Sequence, residues 1–88
     1  MTQPTMPDPK RYATRNVNLL ERLGYDRAVS AMVVGIACES AAKACGQDIT
    51  APGTWLHEVA LHAADLVAIE LRRQRQATAD RTTGGSTT

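Results

Sequence analysis

Residues 54–73 read TWLHEVALHAADLVAIELRR, and the fold turns on them. Apolar residues recur here at helical spacing but fill most of the circumference: Trp55, Leu56, Val59, Ala60, Leu61, Ala63, Ala64, Leu66, Val67, Ala68, Ile69 and Leu71. Glu58, His62, Asp65, Arg72 and Arg73 form a polar stripe. A helix apolar over more than half its surface is covered from more than one side. In a chain of 88 residues few other helices can do this, so a second subunit is expected to contribute.

Upstream of Thr54, a good N-cap, Asp48, Pro52 and Gly53 mark 47–53 as a loop of the length that joins antiparallel helices. Before it, Asp26 caps a helix expected from Arg27 to about Cys45, with Gly46 closing it. Its main apolar stripe is Val29, Met32, Val33 and Ile36. A second stripe, Ala28, Ala31, Gly35, Cys38, Ala42 and Cys45, is made of small residues that let another backbone approach. Glycine at 35 costs a helix about 1 kcal/mol relative to alanine, which points to close helix packing. Asp8-Pro9 opens a first helix, running to about Leu23 and ended by Gly24. Tyr12, Asn16, Leu19, Leu20 and Leu23 share its inner spacing, with Val17 alongside. The sequence leaves open whether these two helices are separate or one kinked rod.

Downstream of residue 71, Arg72, Arg73 and Arg75 suit the end of a helix expected to stop near Ala77. The fold class is therefore all-α: a short N-terminal helix followed by a long antiparallel helical hairpin, packed as a homo-oligomer. Ala31, Gly35, Cys38 and Leu66 are the expected interface. One three-helix domain spans 8–78, between a flexible arm over 1–7 and a disordered Thr/Gly/Ser-rich tail over 79–88.

Composition narrows the function. Apolar residues make up 43% of the chain, yet alanine supplies much of this, Phe is absent, and Tyr12, Tyr25 and Trp55 are the only aromatics. So small a core needs very regular packing or a partner. A net charge of +1 lacks the excess expected of a general nucleic-acid binder, although Arg72, Arg73, Arg75 and Arg81 gather locally. Residues 1–10 hold no apolar stretch and the longest apolar run, 31–38, is far too short for a membrane span, so a cytoplasmic location is expected. Cys38 and Cys45 stand about 10 Å apart along one helix, too far for a disulfide, and are expected as reduced, buried thiols.

No catalytic constellation emerges, so the chain is not expected to be an enzyme and needs no cofactor. His57 and His62 are five apart rather than four, about 140° around a helix, which rules out a zinc-protease pair. Cys38 and Cys45 lack structural-zinc spacing, so no metal is expected. Glu58, His62 and Asp65 share a face and read as a solvated stripe. The turn at Gly24 imitates a helix-turn-helix, but the second helix is apolar at its centre and unsuited to DNA. The remaining cluster, Lys10, Arg11, Tyr12, Arg15, Tyr25 and Arg27, brings cations and rings to the starts of the first two helices. A ring that stacks on a base beside an arginine that pairs with phosphate is the minimum for nucleotide binding.

Tyr12 and Arg27 stand fifteen apart, and the third helix carries Trp55-Leu56, then His62 and Asp65. In these features the chain resembles the small phage anti-CBASS proteins, which block cyclic-oligonucleotide immune signalling by sequestering the messenger. The resemblance spans roughly 10–73 and departs from the family at Arg27, where lysine is usual, and at Leu66, Val67 and Ala68, where acidic and aromatic residues are usual. It implies a non-catalytic oligomer that binds a cyclic oligonucleotide between subunits through Tyr12 and Arg27, with Arg11 and Tyr25 nearby. The alternative is a phage- or plasmid-encoded inhibitor or adaptor that binds a host protein through an apolar helix face. Neither a membrane nor nucleic acid is an expected partner.

Overall fold

A computed structural model describes residues 6–86, with backbone alone for 81–86. The protein is all-α: α1 spans Pro9–Arg22, α2 Arg27–Ala44 and α3 Trp55–Ser86. Each helix starts where the sequence placed it. Asp8 accepts from the Arg11 N–H at 3.0 Å, Asp26 from Ala28 at 3.2 Å, and Thr54 Oγ1 from His57 at 3.2 Å. The α1–α2 and α2–α3 junctions use one device. Gly24 and Gly46 turn to φ values of 103° and 70°, and the residue after each donates back into the helix just ended: Tyr25 to the Leu20 carbonyl, Gln47 to Ala42. Thus α1 and α2 are separate helices, not one kinked rod.

The end of α3 differs from expectation. The helix runs on to Ser86, through most of the segment read as a disordered tail; residues 87 and 88 lie outside the described residues. Alanine, arginine and glutamine over 72–81 are good helix formers, and no proline stops them. Residues 71–80 are exposed throughout. Of the arm expected over 1–7, residues 1–5 lie outside the described residues, while the Pro7 carbonyl accepts from Trp55 Nε1 at 2.7 Å. That bond fastens the entry to α1 onto the first turn of α3.

All three helices pack against one another, with the largest contact between α2 and α3. Their core is built from Ala13 and Val17 of α1, Ala31, Val34 and Cys38 of α2, and Val59 and Ala63 of α3. Polar ties join the helices at the edges. Thr14 Oγ1 and His62 Nε2 share a hydrogen bond of 3.2 Å, and Gln74 Nε2 donates to the Asp26 carboxylate at 3.4 Å. His57 donates from Nδ1 to the Ile49 carbonyl at 2.7 Å, since a carbonyl can only accept. Buried Ser30 donates to the Asp26 carbonyl at 2.8 Å.

The two stripes of α2 have exchanged the roles that side-chain size suggests. The small residues Ala28, Ala31, Cys38 and Ala42 face inward and are buried, whereas Val29, Met32, Val33 and Ile36 point outward and are exposed. Close helix approach explains this: α2 can lie tight against α1 and α3 only on a face of small side chains. Ala31 and Cys38, expected at a subunit interface, lie buried within the chain. Gly35 and Leu66 are half-buried, and a Cβ at position 35 would meet nothing within 4 Å, so Gly35 is not the point of close helix packing expected of it. The large-residue stripe is left free, and no Leu, Ile, Met, Tyr or Trp among the described residues is fully buried. The total accessible surface is 6683 Å², against roughly 5,000 Å² for a compact chain of this length. Part of that excess is the projecting end of α3.

Both cysteines are free thiols, but only Cys38 is buried; Cys45 is the C-cap of α2 and is exposed, contrary to expectation. Burial also pushes the Cys38 thiol above its ordinary pKa, which lowers its thiolate fraction. Maleimide is expected to modify Cys45 at once and Cys38 only after denaturant is added, read as mass increments over time. Immediate double labelling would contradict the packing at Cys38.

Candidate ligand-binding site

The outward face of α1 is cationic. Arg11, Arg15 and Arg22 fall on one side of the helix at spacings of four and seven, with Lys10 beside them. None of these cations forms an ion pair among the described residues. A shallow depression of about 780 Å³ follows them, lined from Asp8 to Arg22 by α1 alone. A concavity on one helix has no second wall, so by itself it is a binding face and not an enclosed site.

Walls exist next to it. A groove of about 390 Å³ runs between Tyr12, Asn16, Leu19 and Leu20 of α1, Val33, Ala37 and Ala41 of α2, and Trp55 and Leu56 at the start of α3. Cys38 and Val34 form its floor. Tyr12 and Trp55 meet edge to face, ring centroids 4.7 Å apart and planes at 62°, so that one ring holds the other in place. The Asn16 side chain donates to the Tyr12 carbonyl at 2.8 Å. The cationic face and the apolar groove share Tyr12, Asn16 and Leu19, so the two surfaces are continuous.

Within one chain the four residues expected to hold a ligand between subunits occupy two separate places. Arg11 and Tyr12 stand at the start of α1, on the surfaces just described. Arg27 lies at the far end of that helix, where its guanidinium pairs with Glu21 and donates to Asn18 Oδ1 at 3.1 Å. Because the Gly24 turn doubles the chain back, fifteen residues of separation place Arg27 beside 18–21, about 9–14 Å along the axis from Tyr12. Its charge is already answered by Glu21. Tyr25 is exposed at the same corner and makes no ring contact among the described residues. Arg22, Leu19, Val33 and Trp55 line these surfaces and were not among the four residues expected to hold a ligand. The spacing of Arg22 from Arg11 and Arg15 could have revealed it. The groove residues could not have been found without knowing which face of α2 turns outward.

The polar stripe of α3 is divided: His62 is engaged by Thr14, Glu58 is half-buried, and Asp65 is exposed. The groove lining contains no carboxylate and no imidazole. What the combined surface offers is guanidinium groups for an anion and an aromatic-edged apolar slot for a flat ring.

The chain matches no family model, no curated protein and no solved structure. Among the described residues no helix is long and apolar enough to cross a membrane.

Proposed function

We propose that this chain is a non-catalytic, cytoplasmic binding protein: a short helix leaning on an antiparallel hairpin of α2 and α3, assembled as a homo-oligomer, that sequesters a cyclic nucleotide signal as a phage anti-defence sponge does. One observation carries the reading. Unpaired cations on α1 and the Tyr12–Trp55 groove meet at Tyr12, Asn16 and Leu19, which suits a ligand bearing both phosphate and base. Such a protein does no chemistry and lowers the free signal by mass action.

Each arginine that answers a phosphate is worth about 1.5–3 kcal/mol, or roughly 10- to 100-fold in affinity. The double variant Arg11→Ala/Arg15→Ala is therefore expected to abolish binding of a cyclic dinucleotide in calorimetry, with helicity unchanged by circular dichroism. Arg27→Ala is expected to leave the affinity as it was. Unchanged affinity in the double variant overturns the site.

A second reading, an adaptor that binds a host protein, is favoured by the exposed stripe Val29, Met32, Val33 and Ile36. It requires that stripe to stay free in solution.

A further inference from the structure

The hollow on α1 extends beyond the part that borders the groove. Tyr12, Asn16 and Leu19 join one flank of it to the groove, whereas Asn18 and Arg22 line the hollow alone. Positions 11, 15, 18 and 22 fall within about 60° on one side of the helix, in a row about 16 Å long at 1.5 Å per residue. The proposed function uses Arg11 and Arg15, at one end of that row. Asn18 and Arg22, both exposed, are left at the other.

Arg27 sets this second end apart. Its guanidinium pairs with Glu21, the carboxylate next to Arg22 in the chain, and the same nitrogen donates to Asn18 Oδ1 at 3.1 Å. The Glu21 charge is thereby answered by Arg27, and Arg22 forms no ion pair. An amide whose oxygen is held on one side turns its nitrogen to another. Asn18 Nδ2 makes no hydrogen bond among the described residues, so both of its N–H groups are open. Asp8, the one carboxylate that lines the hollow, stands at the opposite end and accepts there from the Arg11 N–H. What remains beside Asn18 is a set of donors: an amide nitrogen and, one turn along the helix, a free guanidinium. Such a pair suits the oxygens of a phosphate.

We propose that Asn18 and Arg22 form a second anion subsite, for a phosphate or pyrophosphate group, and that Arg27 is its positioning residue. The subsite lies beyond the phosphates that Arg11 and Arg15 answer, and it does not depend on the groove. Its occupant is a free anion or a further phosphate of a longer nucleotide chain, recognised by the same chemistry.

The test is a titration of the full chain with pyrophosphate, followed by nuclear magnetic resonance at the Asn18 side-chain amide and the Arg22 Nε–H, with helicity checked by circular dichroism. Saturable shifts centred on these two groups are expected, and they should persist in Arg11→Ala/Arg15→Ala and with a cyclic dinucleotide present. Arg22→Ala is expected to weaken pyrophosphate binding roughly 10- to 100-fold. Arg27→Ala frees Glu21 beside Arg22 and lets the Asn18 amide turn. It is expected to abolish the Asn18 shift while the affinity for a cyclic dinucleotide stays as it was. Shifts that never saturate, or that spread evenly along α1, reflect screening of exposed charge and overturn the subsite. Displacement of pyrophosphate by the cyclic dinucleotide overturns it too, and an Asn18 shift that survives Arg27→Ala refutes the positioning role. A linear tetranucleotide separates the two sources of anion. Tighter binding than the cyclic dinucleotide, lost in Arg22→Ala, marks a further phosphate of one chain; equal affinity with the pyrophosphate shifts intact marks a free anion. The nucleotide reading fails separately: a protein that binds pyrophosphate here and takes up no cyclic dinucleotide keeps this subsite and refutes the nucleotide site.

Discussion

Replacing Ala31 with leucine is expected to destabilise the protein by about 1–3 kcal/mol, because the added carbons enter a fully buried face where α2 packs on its neighbours. Ala31 is 0% exposed and belongs to the cluster that joins all three helices. For a domain of this size the midpoint of thermal unfolding should fall by roughly 5–20 °C. The alternative role for Ala31, at the interface between subunits, makes a different prediction: a chain that stays folded and merely loses its partner. Melting by circular dichroism together with solution mass separates the two. An Ala31→Leu protein that melts like the wild type but runs as a monomer would contradict the inward placement of the small stripe.

Trp55→Ala is expected to have the largest combined effect, on stability and on binding. It removes the ring that braces Tyr12, the 2.7 Å hydrogen bond to the Pro7 carbonyl and one wall of the groove. A fully buried tryptophan costs 3–5 kcal/mol when cut back to alanine, and this one is half-buried, so a loss of about 2–4 kcal/mol is expected. Nucleotide binding should be lost with it. Trp55→Phe keeps a ring in the groove and gives up only the N–H bond, which is worth about 0.5–1.5 kcal/mol. Chemical denaturation of the three proteins checks this order. An alanine variant as stable as the phenylalanine variant would mean that the Tyr12–Trp55 pair carries no structural weight.

What could be read in the sequence divides along a physical line. Helix starts and the breaks between helices are local events. Asp8, Asp26 and Thr54 cap with their own side chains, and Gly24 and Gly46 turn where only the local backbone decides, so all five positions were legible. The extent of α3 was less so, because Thr, Gly and Ser near the end of the chain argue for disorder while the alanines and arginines before them argue for helix. The orientation of α2 was hidden for another reason. It carries apolar residues all round, so periodicity alone cannot say which stripe turns inward, and the close approach of α1 and α3 decides in favour of the small one. The site followed from that choice. Tyr12 and Arg11 could be proposed from residue type, but the groove beside them exists only because Val33 faces out and Ala31 faces in. Within one chain the reversal at Gly24 delivers Arg27 to Glu21, so a site shared by Tyr12 and Arg27 requires two subunits.

Native mass spectrometry of the full chain, with and without a cyclic dinucleotide, tests the central claim most directly, that a cationic α1 face and an aromatic-edged groove make one nucleotide site on an oligomeric protein. The account predicts a species of more than one chain mass that gains whole-number nucleotide adducts and loses them when Arg11 and Arg15 are both alanine. A chain that stays at single mass and takes up no nucleotide would contradict it.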